Sequence, residues 1–262
     1  MPWTSSVRGD GFGTFNVSTT AAIIAVGAGV TIAKHGNRAS TSKSGSADCL
    51  AALGYDLQKP IAEIERSIRE CGIGFLFANR CHPAMMHAAP VRKALPFRTI
   101  FNLVGPLSNP AGVKRYALGV YALKIMPLYI DALKSLGARR AIVFCGPDGL
   151  DELGISGVSR VSELTEDGSV RSYEFDPTRI FGKCRPISSI AGGDPNENAK
   201  ITMDILAGEE RGAYRDAAAL NAAAAIMAGG KADTIEDGVA LAYESIDSGK
   251  ALSKLRTMTA SA

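Results

Sequence analysis

Short apolar runs alternate with helix-length segments along the first 145 residues, and that alternation restricts the fold more than any other feature of the chain. Val30 to Lys34, Ile73 to Phe77, Tyr116 to Tyr121 and Ala141 to Cys145 each read as a short buried strand. Between them lie segments with helical character. The Ala-rich stretch from Ala21 reads as a buried helix, preceded by Phe15 to Thr19 as a strand end running into a loop. A second helix starts near Gly45-Ser46-Ala47-Asp48 and stops at Gly54. Pro60 opens a third, with Ile61, Ile64 and Ile68 on one face, and Met126 to Leu136 is a fourth. His82 to Leu95 and Arg98 to Leu103 also read as helical. The pattern predicts an α/β domain with a mainly parallel central sheet. Further on, Val158 to Phe175 is β-like with polar turns, and three or four Ala- and Leu-rich helices follow from Glu197.

Composition narrows the function. With 46% apolar and 21% charged residues the 262-residue chain can bury a sizeable core. Its 29 basic and 26 acidic residues leave a net charge of only +3, which argues against a nucleic-acid surface. An anionic ligand must therefore be met by a local pocket. Cys49, Cys71, Cys81, Cys145 and Cys184 are scattered, with no CxxC pair and no Cys/His cluster. That spacing offers neither a disulfide framework nor a zinc site and suits a reducing cytoplasm. The apolar run from Ala21 to Ala33 is too short to span a bilayer, so no membrane partner is expected.

Two polar clusters carry chemistry. Gly9-Asp10-Gly11-Phe12-Gly13-Thr14-Phe15-Asn16-Val17-Ser18-Thr19 joins a Gly-rich loop to a helix start, a combination that exposes backbone N–H groups to phosphate. On its own such a loop is as readily a plain turn. The second cluster, Lys34-His35-Gly36-Asn37-Arg38 with Ser40, Ser42, Lys43, Ser44, Gly45, Ser46 and Asp48, follows a predicted buried strand. Loops beyond strand carboxyl ends are where α/β folds place ligands, and its cations and hydroxyls match phosphate oxygens. The plainer alternative is a solvated loop with a helix cap at Ser44 or Ser46.

This second cluster resembles the signature loop of the anthranilate phosphoribosyltransferase family, and other segments agree in the same order. They are His82-Pro83-Ala84-Met85 with Val91-Arg92, the run Arg98 to Pro110, Gly149-Leu150-Asp151-Glu152, Asn196-Glu197-Asn198-Ala199, Gly212 to Asp216, Leu220-Asn221-Ala222-Ala223 and Ile246 to Gly249. The resemblance implies a nucleoside phosphorylase/phosphoribosyltransferase-type α/β fold. Residues 1–81 and 111–262 would form the catalytic domain, and 82–110 helices of a small helical domain. It implies transfer of phosphoribosyl from phosphoribosyl pyrophosphate (PRPP) to the amine of anthranilate in tryptophan biosynthesis, with Mg²⁺, in the cytoplasm and as a homodimer. Gly9, Asp10, Asn16, Ser18, Thr19, Lys34 and Ser46 would bind PRPP; His35, Asn37, His82 and Arg92 would line the anthranilate site; Ser18, Asp151 and Glu152 would hold magnesium. No covalent nucleophile is implied.

The chain departs from the family pattern twice. The family's Gly-Thr-Gly-Gly-Asp turn is here Ser6-Val7-Arg8-Gly9-Asp10, so side chains stand where bare backbone is usual. The family also carries several helices ahead of this turn, so an N-terminally shortened member is expected, with the helices of 82–103 lacking partners. Two other readings stay open here: an inactive PRPP-binding relative, and a pyrimidine-nucleoside phosphorylase-like enzyme, which the His-Gly-Asn-Arg run disfavours.

Overall fold

A computed structural model describes residues 2–6, 11–39, 42–85, 87 and 99–260, residues 2–6 by their backbone alone. Seven strands are present among them: β1 (Pro2–Ser6), β2 (Ile32–Gly36), β3 (Ile73–Phe77), β4 (Arg115–Gly119), β5 (Arg140–Cys145), β6 (Ser159–Leu164) and β7 (Val170–Phe175). β1, β4 and β5 run parallel; β6 and β7 then add to β5 antiparallel, giving the order β1-β4-β5-β6-β7. β2 and β3 form a parallel pair, and β2 lies alongside β1. The sheet is therefore mixed rather than uniformly parallel. The reason is local: Thr165 to Ser169 makes a tight polar turn, with Gly168 at φ +82°, so β6 and β7 close as a hairpin.

The longer helices are α1 (Val17–Gly27), α2 (Ser46–Ala52), α3 (Ile61–Cys71), α4 (Met126–Ser135), α5 (Pro195–Leu206), α6 (Ala213–Ala228), α7 (Ile235–Asp247) and α8 (Lys250–Thr259). α1 begins at Val17, earlier than the sequence pattern predicts, because the Asn16 carbonyl accepts from the Thr19 and Thr20 N–H groups and starts the helical ladder there. β2 likewise ends two residues later than expected, at Gly36, paired with Phe77.

Side chains alternate across β5, sending Ile142 and Phe144 to one core and Ala141, Val143 and Cys145 to the other. Both faces of the sheet are thus covered, as parallel strands require. α1 and α6 are apolar nearly all round and lie wholly inside the first core. Close packing there depends on small residues. A methyl added at Gly238 of α7 would sit 2.8 Å from the Ala223 Cβ of α6, and one at Gly27 would sit 2.1 Å from the Ser245 Oγ. α3 and α4 cover the second core; Ile64 and Ile68 are buried, whereas Ile61 faces outward.

A charged chain ties α6 to its neighbours: Arg185 pairs with Asp216 at 2.8 Å, Tyr243 donates to Asp216 at 2.7 Å, and Arg215 pairs with Asp247 at 2.8 Å. The segments Gly212 to Asp216 and Ile246 to Gly249 are therefore scaffold. Among the described residues no helix is long and apolar enough to cross a membrane.

Candidate active site

The carboxyl ends of the parallel strands collect the polar residues the sequence singles out. Lys34 and His35 lie in the carboxyl-terminal half of β2, opposite Phe75 and Leu76. Lys34 is buried at 2% exposure, and its Nζ donates to the Ser18 carbonyl at 3.3 Å and lies 3.5 Å from the Ser18 Oγ. An ammonium is thereby held at the start of α1. The first turn of α1 contains no acidic residue, so its positive end is not already neutralised by the protein. Thr19 lies in the same turn, 1% exposed, and its Oγ1 has no hydrogen-bond partner among the described residues. A buried hydroxyl left so costs about 1–3 kcal/mol unless a ligand meets it.

Asn16 is clamped from two sides. Its Oδ1 accepts from Ser44 Oγ at 3.0 Å and from Asn198 Nδ2 at 2.9 Å, and its Nδ2 donates to the Ser44 carbonyl at 3.4 Å. Asn198, 2% exposed on α5, also accepts from the Gly193 N–H at 2.8 Å. Motif matching alone gives neither Ser44 nor Asn198 a role; an asparagine on the buried face of a helix was the available signal.

The loop from Asn37 to Gly45 closes on itself. Asp48 accepts from the Ala39 N–H at 2.8 Å and the Gly45 N–H at 3.0 Å, and pairs with Arg38 at 2.9 Å. Burial pushes the Asp48 carboxyl up, but those N–H donors and Arg38 outweigh it and hold the pKa below the usual value. The Asn37 carbonyl accepts from the Ala47 N–H at 3.1 Å and from Ser46 Oγ at 3.3 Å. Gly36 makes this approach possible, because a Cβ there would lie 2.1 Å from Ser46 Oγ.

His35 and His82 meet edge to face with ring centroids 5.0 Å apart. Burial drives the His35 pKa down to about 4, helped by His82 and Lys34 and opposed by a hydrogen bond to the Gly105 backbone. His35 is therefore a neutral, largely apolar wall at neutral pH. Asn109 donates to the Ala33 carbonyl at 2.9 Å and fastens the segment after Gly105 to β2.

Asp151 and Glu152 follow β5, each 6% exposed. Their loop is tightly laid against its surroundings. A Cβ on Gly119 would lie 1.7 Å from the Asp151 carbonyl oxygen, and one on Gly146 2.4 Å from that of Glu152. Gly119 pairs in register with Ser6, the last residue of β1, so the acidic dipeptide sits on the sheet edge from which the chain leads to α1. Asn221 of α6 grips Leu153 from behind, accepting from its N–H at 2.8 Å and donating to its carbonyl at 3.0 Å.

The structure thus brings together Asn16, Ser18, Thr19 and Lys34, places Asn37 and Ser46 in one loop beyond them, and pairs His35 with His82. Gly9, Asp10 and Arg92 lie outside the described residues, as does most of the helix expected from His82 to Leu95.

Residues 4–252 match the family model described as glycosyl transferase family, a/b domain. The chain is 52% identical over 253 residues to an anthranilate phosphoribosyltransferase of Rubrobacter xylanophilus, covering 96% of this chain and 73% of that protein. The crystal structure of anthranilate phosphoribosyltransferase from Thermus thermophilus superposes with a TM-score of 0.92 at 44% identity, covering 98% of this chain and 76% of that one. The Saccharomyces cerevisiae enzyme in complex with PRPP and Mg gives a TM-score of 0.90 at 32% identity, covering 98% and 72%.

Proposed function

The chain belongs to the anthranilate phosphoribosyltransferase family, and from that premise we propose how its own residues carry the transfer of phosphoribosyl from PRPP to the amine of anthranilate. The observation that carries the reading is the buried Lys34 ammonium held against the first turn of α1, beside the Thr19 hydroxyl, which has no partner among the described residues. Cation, helix terminus and neutral donors form a cradle for phosphate oxygens. Asn16, Ser18, Thr19 and Lys34 bind PRPP, together with Gly9, Asp10 and Ser46. His35, Asn37, His82 and Arg92 line the anthranilate site, and residues 82–110 are assigned to a small helical domain.

The donor set suits magnesium. Ser18 offers a hydroxyl and Asp151 and Glu152 offer carboxylates, all hard oxygens. Hard oxygens of this kind would hold a magnesium ion. When bound, magnesium neutralises charge on the departing pyrophosphate.

In the reaction the amine nitrogen forms a bond to the anomeric carbon while the bond from that carbon to the pyrophosphate oxygen breaks. The electron pair leaves with pyrophosphate, and the amine then gives up a proton to water. The aromatic amine has its lone pair available, so no base is needed before attack. Lys34 and the hydroxyls stabilise the leaving charge, and the neutral His35 wall keeps an aromatic ring in place without adding a competing cation. The test is loss of anthranilate fluorescence with PRPP and Mg²⁺, coupled to pyrophosphate release. Consumption that Lys34→Met abolishes supports the reading; a chain that binds PRPP without turnover would point instead to an inactive relative.

A further inference from the structure

A buried asparagine in an otherwise apolar helix asks for an explanation. Asn221 is 4% exposed, and its neighbours on α6 from Ala217 to Ala225 are alanines and one leucine, all buried. Both ends of its carboxamide are engaged: Oδ1 accepts from the Leu153 N–H, and Nδ2 donates to the carbonyls of Leu153 and Ala217, the last at 2.9 Å. Two of those three bonds go to one residue, 68 positions earlier in the chain and immediately after Glu152. The side chain thus mimics a strand partner for a piece of loop that has none.

We propose that Asn221 is a positioning residue for magnesium and PRPP, holding the backbone on which Asp151 and Glu152 are presented; this rests on the reading of that dipeptide as a metal site. At its two ends the loop is tied by backbone, the Leu150 carbonyl accepting from the Gly146 N–H at 2.7 Å and the Ile155 carbonyl from the Arg185 N–H at 2.8 Å, while Asn221 holds its middle. Leu153 belongs to no strand or helix, and its flanks are shaped by close backbone approaches at Gly119 and Gly146, which limit where the loop can go without pulling it there. Gly154 adds one further tie, donating to Ser159 Oγ at 2.9 Å. Removing the carboxamide leaves the Leu153 N–H and carbonyl buried without partners, and the loop must move to satisfy them. A carboxylate displaced by a fraction of an ångström loses its metal geometry, and outer supports of this kind typically change metal affinity about 10–100-fold.

The experiment measures Mn²⁺ binding with PRPP present, from the free-ion electron paramagnetic resonance signal, beside steady-state kinetics and thermal melting. Asn221→Leu and the milder Asn221→Asp are compared with Glu152→Gln. The expected result is Mn²⁺ affinity and PRPP KM each worsened at least about tenfold in both Asn221 variants, with the anthranilate KM unchanged. Should Asn221→Leu not fold, Asn221→Asp, which keeps the acceptor for the Leu153 N–H, decides the matter. An Asn221 variant with parental Mn²⁺ affinity overturns the proposal if Glu152→Gln weakens it, as does equal loss for both substrates in step with a lowered melting point. Glu152→Gln with parental Mn²⁺ affinity instead overturns the metal-site reading beneath it.

Discussion

The loop after β2 and the loop after β5 are shaped by opposite means. The first is closed by its own sequence: Asp48 caps Ala39 and Gly45, and Ser46 reaches back to Asn37, all within ten residues. The second bonds Leu150 back to Gly146 but is also braced from outside, by β4 at Gly119 and by Asn221 from a helix 68 residues away. A self-closed loop tolerates change in small steps, because each side chain contributes about 1 kcal/mol and its neighbours can adjust. A loop seated against foreign backbone has no such slack.

The contrast can be broken by experiment. Gly119→Ala should have the largest effect, since its methyl meets the Asp151 carbonyl rather than a movable side chain. We expect about 3 kcal/mol of destabilisation in denaturant melts, and loss of turnover. Parental stability would show that the second loop yields as easily as the first. Acid should act next, through His35 beside the first loop. The His35 pKa is lowered from 6.5 to about 4, so the unfolded chain binds the proton more readily and stability falls as pH drops below about 6.5. Between pH 7 and 5 the loss should be about 2 kcal/mol, and His35→Gln should flatten it. Asp48→Asn should cost about 1–2 kcal/mol at neutral pH. Because the Asp48 pKa is depressed, its contribution is present above the usual carboxylate range and disappears as pH falls through the folded-state value. The substitution should therefore matter less in acid, which a pH series of melting temperatures reads directly. Smallest in stability is Thr19→Val, which should cost nothing and could add up to about 1 kcal/mol, because its hydroxyl has no partner among the described residues. It should still raise the PRPP KM about tenfold if the hydroxyl meets substrate. An unchanged KM would remove Thr19 from the site.

The same contrast explains what was legible in the sequence. β3 was readable to the residue, and the C-terminal helices were visible as three or four, because their patterns are local. The hydroxyl loop was readable for the same reason: Lys34, Ser46 and Asp48 lie within fifteen positions of one another. The start of α1 was misplaced because Phe15 and Val17 look strand-like until the Asn16 carbonyl is seen to begin the helix. Asn221 could be matched to a motif but not given a task, since its partner is set by the packing of α6 and not by spacing. Nor could the pairing of Asn16 with Asn198, 182 positions apart, be found without the fold.

The tight seating of Gly238 on Ala223 carries a practical lesson for anyone seeking a hardier protein. Filling interior gaps with larger residues is a common route to heat resistance, yet along α6 there is no gap to fill. One additional carbon would push the helix outward and drag Asn221 and its loop along. Room for improvement lies instead on the outer faces of α3 and α4, where Ile61 and Leu128 meet water and could be exchanged for polar residues.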